Sequence, residues 1–166
     1  MPVLPGVRAV DHVGFTVPDL DEAHRFLVDV LGATYRYRLG RREGEGTWMS
    51  EHLGVDDRAA IAEIRFFAIG STVFELFAYD APDQASAPPR NSDVGGHHVA
   101  FYVDDLDAAV EALRAAGVEV MGSPVTSGGA HLGQRWVYFR APWGMQFELV
   151  SYPEGRAVDR DPAPYR

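Results

Sequence analysis

The chain has 166 residues, a hydrophobic fraction of 46% and no cysteine, which favours one domain over residues 1–166 and excludes disulfides and thiolate metal sites. Its 15 basic and 24 acidic residues give a formal charge of −9, which argues against a nucleic-acid partner. No segment is long and apolar enough to span a membrane, and the N-terminus lacks a signal-peptide pattern, so we expect a cytoplasmic protein.

The first module, residues 7–80, is predicted to form a strand, a helix and three further strands. Apolar and polar side chains alternate in the first strand, so His12 falls on the face opposite the apolar one. The helix has an N-cap signal at Asp19 and a C-cap signal at Gly32. The predicted strands span residues 8–17, 33–39, 61–69 and 72–79.

Residues 40–60 interrupt this module with a polar, glycine-containing segment that lacks periodicity. Trp48 and His52 lie within it. Loops of this length are uncommon in small domains and are often functional, so we expect a lid or a partner contact. The second module has no insertion of matching length.

A proline- and serine-rich linker over residues 81–95 precedes the second module, residues 96–152. This module repeats the order of the first, with Asp105 as the N-cap of its helix. A charged, proline-containing tail over residues 153–166 is predicted to pack loosely or to contact a partner. The strands after the helix are predicted around residues 118–121, 134–140 and 145–152, with a loop over 122–133.

The two modules are copies of one unit, because the same motifs recur at fixed offsets. The strand that begins at His12 recurs at His98, 86 residues later. The triplet around Glu75 recurs around Glu148, 73 residues later. Two βαβββ modules joined edge to edge predict an α+β fold, with a curved, mostly antiparallel, cup-shaped sheet and helices outside.

Each copy contributes one histidine and one glutamate to the face opposite the apolar stripe. Singly, such residues are more often a hydrogen-bonded core histidine and a salt-bridged glutamate. Their recurrence in register favours a shared metal site, because burying two carboxylates without a cation is costly. Two imidazoles and two carboxylates suit one divalent ion among Zn, Ni, Co, Mn and Fe(II). The predicted ligands are His12, Glu75, His98 and Glu148.

The repeated His-Val-x-Phe-x-Val-x-Asp-Leu openings and Phe-Glu-Leu closings resemble the vicinal oxygen chelate superfamily. That superfamily includes glyoxalase, methylmalonyl-CoA epimerase, extradiol dioxygenases and the bleomycin and fosfomycin resistance proteins. The resemblance covers roughly residues 8–152, and the ligand pattern is closest to the glyoxalase and methylmalonyl-CoA epimerase branch. It implies a homodimer that acts on a small molecule.

The resemblance also implies roles. In the isomerase and lyase branch, the metal acts as a Lewis acid and a glutamate moves a proton next to a carbonyl. By position, Glu148 is the ligand expected to double as the base. Glu63 and His52 are candidates for a second acid or base, although they could equally be a solvated strand residue and an ordinary loop residue.

The resemblance leaves three functions open. An isomerase, epimerase or lyase acting on a small oxygenated metabolite agrees best with the four ligands. An Fe(II) extradiol-type dioxygenase would need only two histidines and one carboxylate, and an antibiotic-sequestering protein would need no metal. Side chains that could line the substrate pocket, or else belong to the core, are Trp48, Phe77, Tyr102, Trp136, Tyr138 and Gln146.

Overall fold

The computed structural model describes residues 6–82 and 84–163 of the chain. The chain divides into two compact units, Met1–Ser86 and Ala87–Arg166. Each unit contains one βαβββ module and one four-stranded sheet, which confirms the predicted α+β class with two modules. None of the helices within the described residues is long and apolar enough to cross a lipid bilayer.

Unit one has the sheet order β1-β4-β3-β2. The first and last strands of the module, β1 and β4, pair in parallel at one edge, and the other neighbours are antiparallel. The strands are β1 (His12–Thr16), β2 (Thr34–Leu39), β3 (Ala60–Ile69) and β4 (Thr72–Asp80). The helices are α1 (Leu20–Arg25), which continues into a π-helical turn (Phe26–Val30), and α2 (Trp48–Leu53).

Unit two repeats this topology with the order β5-β8-β7-β6, again with its first and last strands parallel. The strands are β5 (Val99–Tyr102), β6 (Val120–Thr126), β7 (Arg135–Arg140) and β8 (Gln146–Ser151). The helical segments are α3 (Leu106–Ala115), a 3₁₀ turn (Gly129–His131) and α4 (Ala157–Arg160).

Both predicted N-caps are confirmed. One carboxylate oxygen of Asp19 accepts hydrogen bonds from the backbone N–H groups of Asp21 at 2.7 Å and Glu22 at 2.9 Å. Asp105 accepts one from the N–H of Ala108 at 3.0 Å. These oxygens satisfy N–H groups that have no partner within the helix, so each helix begins directly after its aspartate.

The sheet of unit one has two different faces. The face toward α1 and the π-helical turn forms the core, and its fully buried side chains include Leu27, Phe67, Phe74 and Leu76. The opposite face carries His12 and Glu75, and we call it the His–Glu face. Its apolar part is a buried cluster with partly buried neighbours, Ile61, Ile64 and Phe66 with Leu39, Val73, Phe77 and Tyr79.

Unit two has the same arrangement. Phe139 and Phe147 are fully buried, and their rings lie 5.7 Å apart. Helix α3 contacts β8 and β6 and buries Leu106, Val110 and Leu113. Side chains alternate along β7 and β8, so Tyr138 and Glu148, which follow or precede these buried positions, lie on the other face of the sheet. We call it the His–Glu face of unit two.

Three segments differ from the predictions. The segment 40–60 contains α2, because Met49 is fully buried and Gly54 ends the helix in a left-handed conformation. The segment 122–126, expected in a loop, extends β6 and pairs with β7. The start of the tail, predicted to pack loosely or to contact a partner, is docked on its own unit: the N–H of Ala157 donates to the carbonyl of Leu132 at 2.9 Å.

Candidate functional site

The first candidate pair consists of His12 and Glu75, on the parallel strands β1 and β4. The register places His12 opposite Val73 and Gly14 opposite Glu75, so both side chains lie on one face. Imidazole Nε2 lies 3.0 Å from carboxylate Oε2. The Glu75 side chain is 16% exposed and that of His12 is 44% exposed, so solvent reaches the pair mainly from the histidine side.

The second pair, His98 and Glu148, repeats this geometry in unit two. Ala100 lies opposite Glu148, as Gly14 lies opposite Glu75 in unit one. Nε2 of His98 is 3.0 Å from Oε2 of Glu148, whose side chain is only 10% exposed. Burial raises the pKa of Glu148, and the charge and hydrogen bond of His98 partly oppose that rise.

The atoms of each pair fit two neighbouring ligands of one metal ion. Imidazole nitrogens and carboxylate oxygens bind such ions at about 2.1 Å. Two ligands at right angles to each other are then about 3.0 Å apart, by the same bond length. Both separations in the structure are 3.0 Å, a spacing that suits a direct hydrogen bond and also two neighbouring ligands of one divalent ion.

An outer partner orients each histidine. Asp11 Oδ2 lies 2.9 Å from Nδ1 of His12, and this hydrogen bond is the main reason why the pKa of His12 is raised. The Asn91 amide nitrogen lies 3.4 Å from Nδ1 of His98. The Asp11 carboxylate accepts from Nδ1–H of His12 and so leaves Nε2 of that ring for the metal. An amide nitrogen only donates, so Asn91 would support metal binding by His98 in the same way with its carbonyl oxygen turned toward Nδ1. Sequence reasoning missed both partners. The only signal for Asp11 is that it precedes His12 in the chain, and no sequence pattern points to Asn91.

The four predicted ligands thus occur as two pairs. Across residues 6–82 and 84–163, no three His, Asp or Glu side chains converge closely enough to hold a metal ion. The donor types and the spacing within each pair suit a borderline divalent ion. Metal binding by all four residues therefore stays a prediction.

Glu63 lies on the face of unit one opposite to Glu75. The register pairs Glu63 with Ala78 and Glu75 with Phe66, and these pairs project to opposite sides of the sheet. The Glu63 carboxylate forms ion pairs with Arg65 and, at 3.5 Å, with Arg38. The Glu63 carboxylate therefore lies on the helix side of the sheet, in ion pairs with arginines.

His52 lies on α2 and is exposed, with its ring 4.8 Å from that of Trp48. Both residues belong to the insertion, and Trp48 is 40% exposed. The structure therefore brings these two predicted site residues together, but on the helix of the insertion and not on a strand of either sheet.

The other predicted pocket residues lie on the His–Glu faces. In unit one, Phe77 stacks on Tyr79 with ring centres 5.7 Å apart. In unit two, the Tyr138 ring meets the His98 ring edge to face at 5.2 Å, and burial followed by the Glu148 charge raises the pKa of its hydroxyl. The remaining members of this face are Tyr102, Trp136 and Gln146.

Comparisons with known proteins agree with this architecture. The family model of the glyoxalase/bleomycin resistance protein/dioxygenase superfamily matches residues 11–139. A 2-epi-5-epi-valiolone epimerase from Actinomyces sp. is 51% identical over 160 residues, which cover 95% of this chain and 86% of that protein. The ethylmalonyl-CoA/methylmalonyl-CoA epimerase of Cereibacter sphaeroides is 31% identical over 75% of this chain and 83% of its own length.

Solved structures share the fold. A glyoxalase family protein from Bacillus cereus has a TM-score of 0.70 and 23% identity to this chain. The match covers 91% of this chain and 98% of the Bacillus cereus chain. The fosfomycin resistance protein FosX from Listeria monocytogenes, crystallised with Mn(II) and sulfate, has a TM-score of 0.61 and 20% identity over 93% of this chain and 98% of its own.

Proposed function

Because the chain belongs to the glyoxalase/bleomycin resistance protein/dioxygenase superfamily, we propose that it is a divalent-metal-dependent epimerase that moves a proton next to a carbonyl of a small oxygenated metabolite. The main support is the repeated His–Glu pair, which has the same atoms at the same separation in both units. The two relatives named above at 51% and 31% identity are epimerases, which supports an enzyme and favours epimerisation over the lyase reaction.

In this proposal, one ion of Zn, Ni, Co, Mn or Fe(II) is held by His12, Glu75, His98 and Glu148. When bound, such an ion supplies Lewis-acid polarisation of a carbonyl oxygen. Asp11 orients the His12 imidazole with Nε2 toward Glu75. Asn91 would do the same for His98 and Glu148 with its carbonyl oxygen toward Nδ1 of His98.

Glu148 is the proposed base. Its carboxylate takes a proton from the carbon next to the carbonyl, and the electron pair of that C–H bond moves toward the carbonyl oxygen. The Glu148 side chain is only 10% exposed, so its carboxylate would act on the substrate largely shielded from solvent.

Epimerisation then requires a proton on the opposite face of the same carbon. Glu75, the counterpart of Glu148 in the repeat, is the better candidate for that role than Glu63 or His52. Glu63 is paired with arginines on the helix side of its sheet, and His52 lies on α2.

The proposal is tested by metal content and turnover of the purified chain. Wild type, His98→Ala and Glu148→Gln are loaded with each candidate ion, and bound metal is counted by elemental analysis. Each protein is then incubated in D₂O with 2-epi-5-epi-valiolone or with methylmalonyl-CoA, and exchange at the carbon next to the carbonyl is followed by NMR. His131→Ala, an exposed histidine in the 3₁₀ turn, is the matched control.

We expect about one ion per chain in wild type and in the control, and loss of the metal in His98→Ala. Glu148→Gln should lower exchange by about 100-fold or more, since a positioned base contributes about 10²–10⁴-fold. A chain that binds no metal after loading with every candidate ion contradicts the proposal and favours a ligand-sequestering protein. Fe(II)-dependent oxygen uptake without exchange favours a dioxygenase.

A homodimer remains part of the proposal and rests on the family alone. Light scattering of the metal-loaded chain tests it directly, because a dimer has twice the 18.2 kDa mass of the chain. A monomer that turns over would leave the proton-transfer proposal intact and remove the dimer from it.

A further inference from the structure

Two aromatic side chains on β7, Trp136 and Tyr138, adjoin the second His–Glu pair. Tyr138 lies directly opposite Glu148 across the β7–β8 pairing. Its ring packs edge to face against the His98 imidazole and against the Trp136 indole, at 5.2 Å in both cases. Both side chains are partly exposed, so a ligand that reaches His98 and Glu148 would contact this aromatic wall.

A chain of hydrogen bonds fixes the Trp136 ring. Its Nε1–H donates to the Ser127 hydroxyl at 3.1 Å, and that hydroxyl donates to the Gln134 side-chain oxygen at 3.0 Å. The Gln134 amide nitrogen donates to the Tyr152 hydroxyl at 3.5 Å. A ring held in this way presents its face without losing much side-chain entropy when a ligand binds.

The Tyr138 hydroxyl remains available. Within the described part of the chain, no hydrogen bond to this hydroxyl is present, and the ring is held on two sides by His98 and Trp136. The wall therefore combines a fixed indole with one hydroxyl that can donate to, or accept from, a ligand oxygen.

The two equivalent positions of unit one carry apolar side chains. There the residue opposite Glu75 is Phe66, and the counterpart of Trp136, two positions earlier, is Ile64. Both side chains are buried. At these two positions the hydrogen-bonding side chains belong to unit two, and Phe66 shows that a phenylalanine fits the position opposite the glutamate.

In the described part of unit two, the cations beside the wall are already paired and offer no free charge to an anionic ligand. The two arginines that adjoin this face are already paired: Arg140 lies 3.3 Å from Glu119, and Arg156 lies 2.8 Å from Asp159. A coenzyme A thioester carries several phosphate charges and would compete with these carboxylates. An uncharged ligand needs no free cation here.

We infer that Trp136 and Tyr138 form the recognition site for an uncharged, hydroxylated ring ketone. Trp136 packs against the C–H face of the ring, and the Tyr138 hydroxyl hydrogen-bonds an oxygen on its edge. This inference rests on the proposed function and narrows its substrate class, away from acyl-coenzyme A.

The test is direct binding to the metal-loaded chain, measured by calorimetry with 2-epi-5-epi-valiolone and with methylmalonyl-CoA as probes. Tyr138→Phe removes only the hydroxyl. Tyr35→Phe, whose ring packs with His24 and Phe67 on the helix side, is the matched control. Bound metal and the melting temperature are measured for each variant, and KM and kcat are measured where turnover occurs.

We expect Tyr138→Phe to weaken binding of the hydroxylated ketone by about 2- to 13-fold, the range for one hydrogen bond. Bound metal and melting temperature should stay unchanged, and Tyr35→Phe should behave like wild type. Unchanged ketone binding by Tyr138→Phe overturns the inference. So does wild-type preference for methylmalonyl-CoA, which leaves the proposed epimerase intact. Ketone binding that depends on Tyr138 without turnover supports the recognition site and refutes the proposed function.

Discussion

The contact between Asp11 and His12 yields the sharpest prediction about the metal site. Asp11→Asn keeps the shape of the side chain but removes the charge that orients Nδ1 of His12, 2.9 Å away. Losing such an outer partner lowers metal affinity by about 10–100-fold. Because the Asp11 side chain is 96% exposed and that of His12 is 44% exposed, solvent screens the charge and we expect about tenfold, the lower end of that range.

The assay is a competition titration with a chromophoric chelator at pH 8, above the ordinary pKa of histidine. The choice of pH matters, because Asp11 raises the pKa of His12 and its removal weakens the competition from protons. Near pH 6, this second effect would mask part of the loss in affinity. In the metal-free chain, the NMR titration midpoint of His12 should fall in Asp11→Asn.

Asp104→Asn is the control. Asp104 is exposed and follows β5, and its substitution changes the net charge by the same amount as Asp11→Asn. It should leave the affinity within about twofold of wild type, since exposed charges at a distance are screened. Equal affinities for Asp11→Asn and Asp104→Asn at pH 8 would refute the orienting role of Asp11. A lower affinity together with an unchanged midpoint for His12 would refute the stated cause.

Two further predictions concern stability. A Cβ at Gly133, whose φ is +101°, would lie 2.1 Å from the carbonyl oxygen of Gly155, so Gly133→Ala should lower the free energy of unfolding by about 1–3 kcal/mol. Gly128→Ala is the control, because Gly128 has a φ of −113° and open space around it, and it should leave the stability unchanged. Equal melting temperatures for the two variants would contradict the docking of the tail. Hydrogen bonds from Arg58 hold the pKa of Asp56 at about 2, so the contribution of Asp56 to stability is present above its usual pKa and is lost as the pH falls toward 2. In urea unfolding from pH 5 to pH 2, Asp56→Asn should therefore lose less free energy of unfolding than wild type. An identical loss in the two proteins would contradict this.

Much of the candidate site could be predicted because its residues follow from repeats and from short-range patterns in the sequence. The His–Glu pairs follow from repeat offsets and strand alternation, and the N-caps from Asp19 and Asp105, whose carboxylates act on their own next residues. These interactions span a few positions along the chain or repeat in register. Their physical causes, side-chain period and unsatisfied N–H groups, can be read without knowing the fold.

Glu63 shows what pattern alone does not contain. In a regular strand it would share the face of Ile61, which belongs to the cluster on the His–Glu face. An irregularity in the β3–β4 pairing between these two residues moves Glu63 to the helix side, where Arg65 and Arg38 bind it. A bulge adds one residue to one strand only, and its place depends on the partner strand.

The sequence by itself therefore determined the repeat, the α+β class, the capped helices and the four candidate ligands. Only the tertiary structure decided the face of Glu63, the partners Asp11 and Asn91, the docked tail and the hydrogen bonds that hold Trp136. Apart from Asp11, which adjoins His12 in the chain, the second set depends on which segments meet in space, and such contacts leave no periodic signal in the sequence.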